Sequence, residues 1–118
     1  MTEGPSVVAR VSGVCLTVQF GGDMDWRTAP YFRDRLLGEI ARGPRCVVLD
    51  LSSVPFCDSA GVSVLLWAWR QVEGAGAVLV LACARPQVAR TLTLTGVDSV
   101  LRMYGSVAEA QREMAVDG

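Results

Sequence analysis

The sequence contains no histidine and no lysine, and all 11 of its basic residues are arginines. The missing imidazole removes the commonest general base, and the missing ammonium removes any Schiff-base or phosphate-loop lysine. Gly-x-Ser-x-Gly is absent too, so an autonomous serine hydrolase has neither its elbow nor its base. The arginines are scattered and the formal net charge is −1, so the basic stripe that marks a nucleic-acid binder is lacking. The longest apolar run, Ala75 to Ala84 broken by Gly76, falls far short of the roughly 20 residues of a membrane span. Met1 to Ser6 is polar and acidic, which predicts no N-terminal signal. Cys15, Cys46, Cys57 and Cys83 stand far apart with no Cys-x-x-Cys pair. That spacing predicts buried thiols acting as small hydrophobes in a reducing cytoplasm, with Cys57, beside Asp58, the one worth a reactivity test.

What is present suits one globular domain. A chain of 118 residues is large enough to bury a core and too short for two ordinary domains, and 51% of it is hydrophobic. The stretch from Cys46 to Gly74 organises the rest. Cys46-Val47-Val48-Leu49 reads as a strand buried on both faces. It fades at Asp50-Leu51-Ser52-Ser53, and Pro55 marks a turn. A helical pattern starts directly after Asp58, with Val62, Leu65, Trp69 and Val72 on one face. Asp58 is placed to cap that helix by accepting from Ala60 or Gly61 N–H, which leaves Ser59 in the first turn. A hydroxyl there is accessible, and a helix N-terminus accommodates the anion that phosphorylation would add.

Before this centre, Val7–Val11 and Val14–Phe20 flank Ser12-Gly13, a two-residue hairpin signal. Val14, Leu16, Val18 and Phe20 alternate onto one face of the second strand. Residues 1–5 have little to bury and read as a loose end. Asp25 or Thr28 caps the next helix, in which Ala29, Phe32, Leu36 and Ile40 recur, with Gly43-Pro44 as its stop. Asp23, Asp25 and Asp58 follow no metal-loop pattern, and no cofactor is expected.

After the central helix, Ala77–Ala82 is another continuous apolar strand, so the crossover makes a βαβ unit with a parallel pair. Arg85-Pro86 starts a helix with Val88 and Leu92 inward, ending near Gly96. Val100 to Tyr104 reads as a short last strand. Ser106 and Glu109 fit a capping box for a final helix, which Ala110 and Met114 pack onto the body.

Val48-Leu49-Asp50-Leu51-Ser52-Ser53-Val54-Pro55-Phe56-Cys57-Asp58-Ser59-Ala60-Gly61-Val62 resembles the signature of STAS-domain anti-sigma factor antagonists. Gly22-Asp23-Met24-Asp25 followed by Thr28-Ala29, and Pro86 to Asp98, are similar to further segments of that family, with Asp23 in place of its glutamate and Met24 in place of its leucine. The resemblance implies a single STAS domain over residues 1–118, an α/β fold with one mixed sheet of four or five strands and about four helices. It implies no enzyme. The unphosphorylated protein would bind an anti-sigma factor that is also a serine kinase and so release a sigma factor. Phosphorylation of Ser59 would end that binding, and a PP2C-like serine phosphatase would restore it; ATP and Mg²⁺ belong to the kinase. Asp23, Asp25, Asp58, Ala60, Gly61, Ser63 and Trp67 are the expected partner-binding residues, Asp25 matching a family aspartate that helps dock the partner. Asp25 also reads as a plain helix cap, and the two roles are compatible. The alternative within the same fold is an accessory domain that binds a small ligand or serves a lipid-transport complex.

At about 100° per residue, Ser59, Ser63 and Arg70 share a face of the central helix that is separate from its core stripe. Trp69 falls in the core stripe. Trp67 sits at the edge of the serine's face, either as a partner anchor or tucked under the neighbouring helix.

Overall fold

The computed structural model describes residues 4–117, with side chains through residue 114. The first strand, β1 (Ser6–Ser12), pairs antiparallel with β2 (Cys15–Gly21) from Ser6↔Gly21 to Ser12↔Cys15. The turn between them is Gly13-Val14, one residue later than the sequence signal suggested. Gly13, at φ 63°, takes the left-handed conformation that a two-residue hairpin turn demands. Residues 1–3 of the expected loose end lie outside the described residues.

Helix α1 (Ala29–Ile40) leads to β3 (Cys46–Ser53), and α2 (Ser59–Gly74) leads to β4 (Val78–Ala82). Helix α3 (Pro86–Leu94) and a 3-10 turn at Val97–Ser99 precede β5 (Met103–Tyr104), and α4 (Val107–Asp117) ends the chain. The five strands form one sheet in the order β1-β2-β3-β4-β5, parallel from β2 onward. This is the mixed α/β architecture expected from the sequence.

Each parallel crossover advances one strand in the same direction, and right-handed crossovers then place α1, α2 and α3 on one face of the sheet. Burial agrees: Phe32, Leu65 and Leu92 join Phe20, Leu49 and Leu81 in one core. Phe20 and Phe32 meet edge-on at 5.1 Å and lock α1 to β2. Ala110 and Met114 of α4 cover Val48 and Val80 on the opposite face. Strand β3 is therefore buried from both sides, which is why Cys46 to Leu49 reads as unbroken apolar sequence.

Other details differ from expectation. Strand β3 runs through to Ser53, because Gly21 and Ser53 still pair and Leu51 points into the core at 0% exposure. The last strand is only two residues long, since Val100 and Leu101 follow the 3-10 turn and Leu101 is buried there. In the capping box, Glu109 N donates to Ser106 Oγ at 3.0 Å, but the Glu109 carboxylate reaches back to Gly105 N rather than to Ser106 N.

The cysteines also depart from the sequence reading. Cys15 and Cys46, facing each other in register on β2 and β3, are joined as a disulfide rather than packing as two thiols. The spacing of 31 residues concealed this, because only the strand pairing brings them together. Cys83 follows β4 at φ 62°, half-buried, with its thiol pKa raised by burial and by the nearby Asp50 carboxylate.

The disulfide closes a long loop, so reduction should cost about 3 kcal/mol of stability through the freed unfolded chain. Thermal unfolding with and without reductant tests this. The wild-type midpoint should fall on reduction, while a Cys15→Ser, Cys46→Ser double variant should ignore the reductant.

Candidate functional site

At the C-terminal end of β3, two loops continue the strand pairing. Gly22 N donates to Ser53 O at 3.0 Å, Met24 N to Phe56 O at 2.8 Å, and Asp58 N to Met24 O at 3.0 Å. Met24 and Cys57 form an isolated parallel bridge, and both side chains are buried. The loop before α1 and the loop before α2 are thereby held as one unit.

Gly61 makes the contact possible. A Cβ there would lie 2.5 Å from Met24 O, 2.7 Å from Cys57 Sγ and 2.8 Å from Met24 Cβ. Only a hydrogen fits between the first turn of α2 and the neighbouring loop. Gly61 is thus buried as a spacer, and Ala60 is half-buried beside it.

Asp58 adopts an extended conformation and caps α2 as its sequence position foretold. Its Oδ1 accepts from Ala60 N at 2.8 Å and from Gly61 N at 3.1 Å. Ser59 is the first residue of the helix and is exposed. Among the described residues, no group hydrogen-bonds to the Ser59 hydroxyl. Ser63, one turn on, donates its own hydroxyl to Ser59 O at 3.0 Å. The two serines share a face but differ in kind: one hydroxyl is free and the other is engaged.

Asp25 is the one buried charged side chain among the described residues, at 6% exposure. Its Oδ1 accepts from Arg27 N at 2.9 Å and Thr28 N at 3.2 Å, and its Oδ2 from Arg27 Nη2 at 3.1 Å. Arg27 above all, with the two backbone N–H groups, holds its carboxyl below the usual range against the opposing effect of burial. Neither capping candidate bonds through its side chain to the N–H groups of α1 itself: the Asp25 carboxylate closes the turn just before it, at Arg27 and Thr28. Thr28 occupies the N-cap position, yet its hydroxyl donates to Asp23 O at 2.8 Å and accepts from Asp25 N at 3.0 Å. Asp23 is exposed beside this knot.

Cys57 is no reactive thiol. It is buried next to Asp58, and desolvation first, then that carboxylate, push its pKa up to about 12. Both tryptophans of α2 are half-buried, so Trp69 is less enclosed than the core stripe suggested, while Ala68 and Val64 are sealed. Trp67 leans toward α1, where the Arg33 guanidinium stands over its ring at 5.2 Å. Among the described residues no group of three or more His, Cys, Asp or Glu is placed to hold a metal.

Sequence reasoning missed two residues. Trp26 is 73% exposed in the first loop and Phe56 is 42% exposed in the second. An aromatic in each polar loop, one within Asp25-Trp26-Arg27 and one directly after Pro55, was the available signal. Large apolar groups held out in water suit a protein contact.

Gly61→Ala should cost about 1–3 kcal/mol through overpacking against backbone, measurable by denaturant unfolding. Asp25 sets an acid limit. Its folded pKa lies below the unfolded value, so the stability it contributes is present above the unfolded pKa and lost as pH falls through the folded one. Thermal midpoints measured down through the carboxylate range should fall, and Asp25→Asn should flatten that limb.

Comparison with known proteins gives the family of the chain. The chain is 27% identical over 103 residues to an anti-sigma F factor antagonist of Paenibacillus polymyxa, covering 86% of this chain and 87% of that one. It is likewise 27% identical over 103 residues to the anti-sigma-F factor antagonist RsfB of Mycobacterium tuberculosis, covering 87% and 83%. The crystal structure of an anti-sigma factor antagonist from Mycobacterium paratuberculosis shares the fold, with a TM-score of 0.86 at 24% identity over 93% of both chains. Residues 6–110 match the profile of the STAS domain, and the chain belongs to that family.

Proposed function

We propose that this protein is an anti-sigma factor antagonist switched by phosphorylation of Ser59. The observation that carries the reading is the free, exposed Ser59 hydroxyl at the start of α2, directly after an aspartate cap, with an exposed aromatic in each of the two loops bonded together there. The names of its relatives supply the partner class, an anti-sigma factor. In the unphosphorylated form, Trp26, Phe56 and the Ser59 end of α2 meet an anti-sigma factor that is also a serine kinase, and a sigma factor is released. Asp23 and Asp58 supply negative charge to the contact. Asp25 acts from within, by fixing the loop that presents Trp26 and Arg27.

Phosphorylation would work by local electrostatics. A phosphate brings about −1.5 to −2 charges to a helix start that tolerates anions. Two of the donors there, Ala60 N and Gly61 N, already serve Asp58. The added anion is therefore only partly neutralised by the helix, and its remaining field faces the partner. A PP2C-like serine phosphatase resets the switch. In this reading the chain is the substrate of the kinase and the phosphatase. A cytoplasmic setting suits these partners. The Cys15–Cys46 link ties the opposite end of β3, about 23 Å from its C-terminus at roughly 3.3 Å per residue, so the site works with that bond open or closed.

The test is intact-mass analysis with ATP and a candidate anti-sigma factor kinase, followed by calorimetry. One phosphate should be added, and Ser59→Ala should abolish it. Affinity for the kinase should fall about a hundredfold on phosphorylation, equivalent to about 3 kcal/mol. Undiminished labelling of Ser59→Ala would remove the assignment, and unchanged affinity would remove the switch.

A further inference from the structure

The exposed face of α2 carries a second feature below Ser59. At 1.5 Å rise and about 100° per residue, Ser59, Ser63, Trp67 and Arg70 fall within an arc of about 80°, and Arg70 lies about 16 Å from Ser59 along the axis. Arg33 of α1 reaches across the seam between the helices and stacks over Trp67 at 5.2 Å. Arg33 and Arg70 are both exposed. The ion pairs among the described residues are Arg27–Asp25 and Arg42–Glu39, so neither Arg33 nor Arg70 has a carboxylate within 4.0 Å. Asp34 and Glu73 are close in sequence to Arg33 and Arg70, yet neither closes a bridge to them.

Two guanidinium groups without anions, one of them ordered by an aromatic face, form a site prepared for carboxylates. Stacking limits the rotamers of Arg33, so less freedom is lost when its planar fork engages a carboxylate in two hydrogen bonds. Tryptophan and arginine are also the side chains that most often dominate the energetics of an interface. The pole of the helix is the reverse: Asp58 and exposed Asp23 make it anionic. One continuous face is thus negative at Ser59 and positive about three turns further on, at Arg70.

We propose that the Arg33–Trp67–Arg70 seam is a second docking point of the partner face, and that its occupant is an acidic segment of the anti-sigma factor. The inference rests on the reading of Ser59 as the partner-facing switch. It adds a requirement on the partner, which must present basic groups to the Asp58 pole and carboxylates about 16 Å away. That polarity fixes the direction in which the partner lies along α2. It also gives the contact a portion that phosphorylation does not touch, since the distance exceeds a Debye length at physiological salt.

The test uses two probes. In the first, amide and indole N–H correlation spectra are recorded while a synthetic peptide alternating Glu and Ala is titrated in. A peptide alternating Lys and Ala serves as the control. The indole signal of Trp67, assigned with Trp67→Phe, and the amides of Arg33 and Arg70 should shift saturably with the acidic peptide alone. The Arg33→Gln, Arg70→Gln double variant should keep the wild-type spectrum elsewhere and raise the Kd about tenfold. Equal shifts with the basic peptide, shifts confined to other arginines, or concentration-dependent shifts without peptide, as a second copy would give, overturn the proposal. In the second, an anti-sigma factor kinase that labels wild-type Ser59 is titrated against the same double variant. Its affinity should drop about tenfold and its salt dependence should lessen. Labelling of Ser59 with unchanged affinity of the double variant sinks the seam and leaves the switch standing. Selective peptide binding without any Ser59 labelling sinks the switch and leaves the seam.

Discussion

Met24 O is where the two halves of the site are fastened together. It accepts the Asp58 N–H, while Met24 N donates to Phe56 O, and the first turn of α2 passes so close that only a glycine fits there. These bonds lie beyond the last regular residue of the β2–β3 pair, in a region where loops would otherwise be solvated and mobile. Burial of Met24 and Cys57 keeps water from competing for them. The position of Ser59 is set by this fastening. So is that of Trp26, through the Asp25 knot that begins one residue after Met24. The sheet core supplies the stability, but the fastening turns that stability into a defined surface.

The charges of the site are arranged in two layers. Asp25 is inside, with its oxygens taken by Arg27 and by backbone donors of its own loop. Asp58 lies at the boundary, with one oxygen given to the helix. Asp23 is outside. A buried charge unpaired by its surroundings would be expensive, so the inner carboxylate has a structural task by necessity. The outer ones are free to meet whatever approaches. The gradation gives the three aspartates different surroundings.

Much of this was legible in the residues. The β3 run Cys46 to Leu49, the Asp58 cap and the inward Val88 and Leu92 follow from period, burial and capping chemistry, and each stands where those rules place it. Other features depend on distance between strands and are silent in one dimension. Cys15 and Cys46 meet only because β2 and β3 pair in that register. Gly61 was read as a donor to the Asp58 cap and a partner-binding residue, and its role as a spacer shows only with the neighbouring loop against it. Val64 and Ala68 were overlooked because a helix wedged between a sheet and another helix buries a wider arc than a single stripe. Trp26 and Phe56 were visible as letters, but their exposure is a property of the fastened loops.

The hydrogen bond from Ser63 to Ser59 O has a consequence for how information is held. At the start of α2 it leaves one hydroxyl free instead of two. On the proposed switch at Ser59, a helix start with a single writable position would have two chemical states and no ladder of partly modified forms between them. Its steady-state occupancy is then the ratio of one writing rate to one erasing rate, and it changes smoothly with either. If that switch operates, sharp thresholds would have to come from competition among the proteins that read it, because one hydroxyl stores no more than one bit.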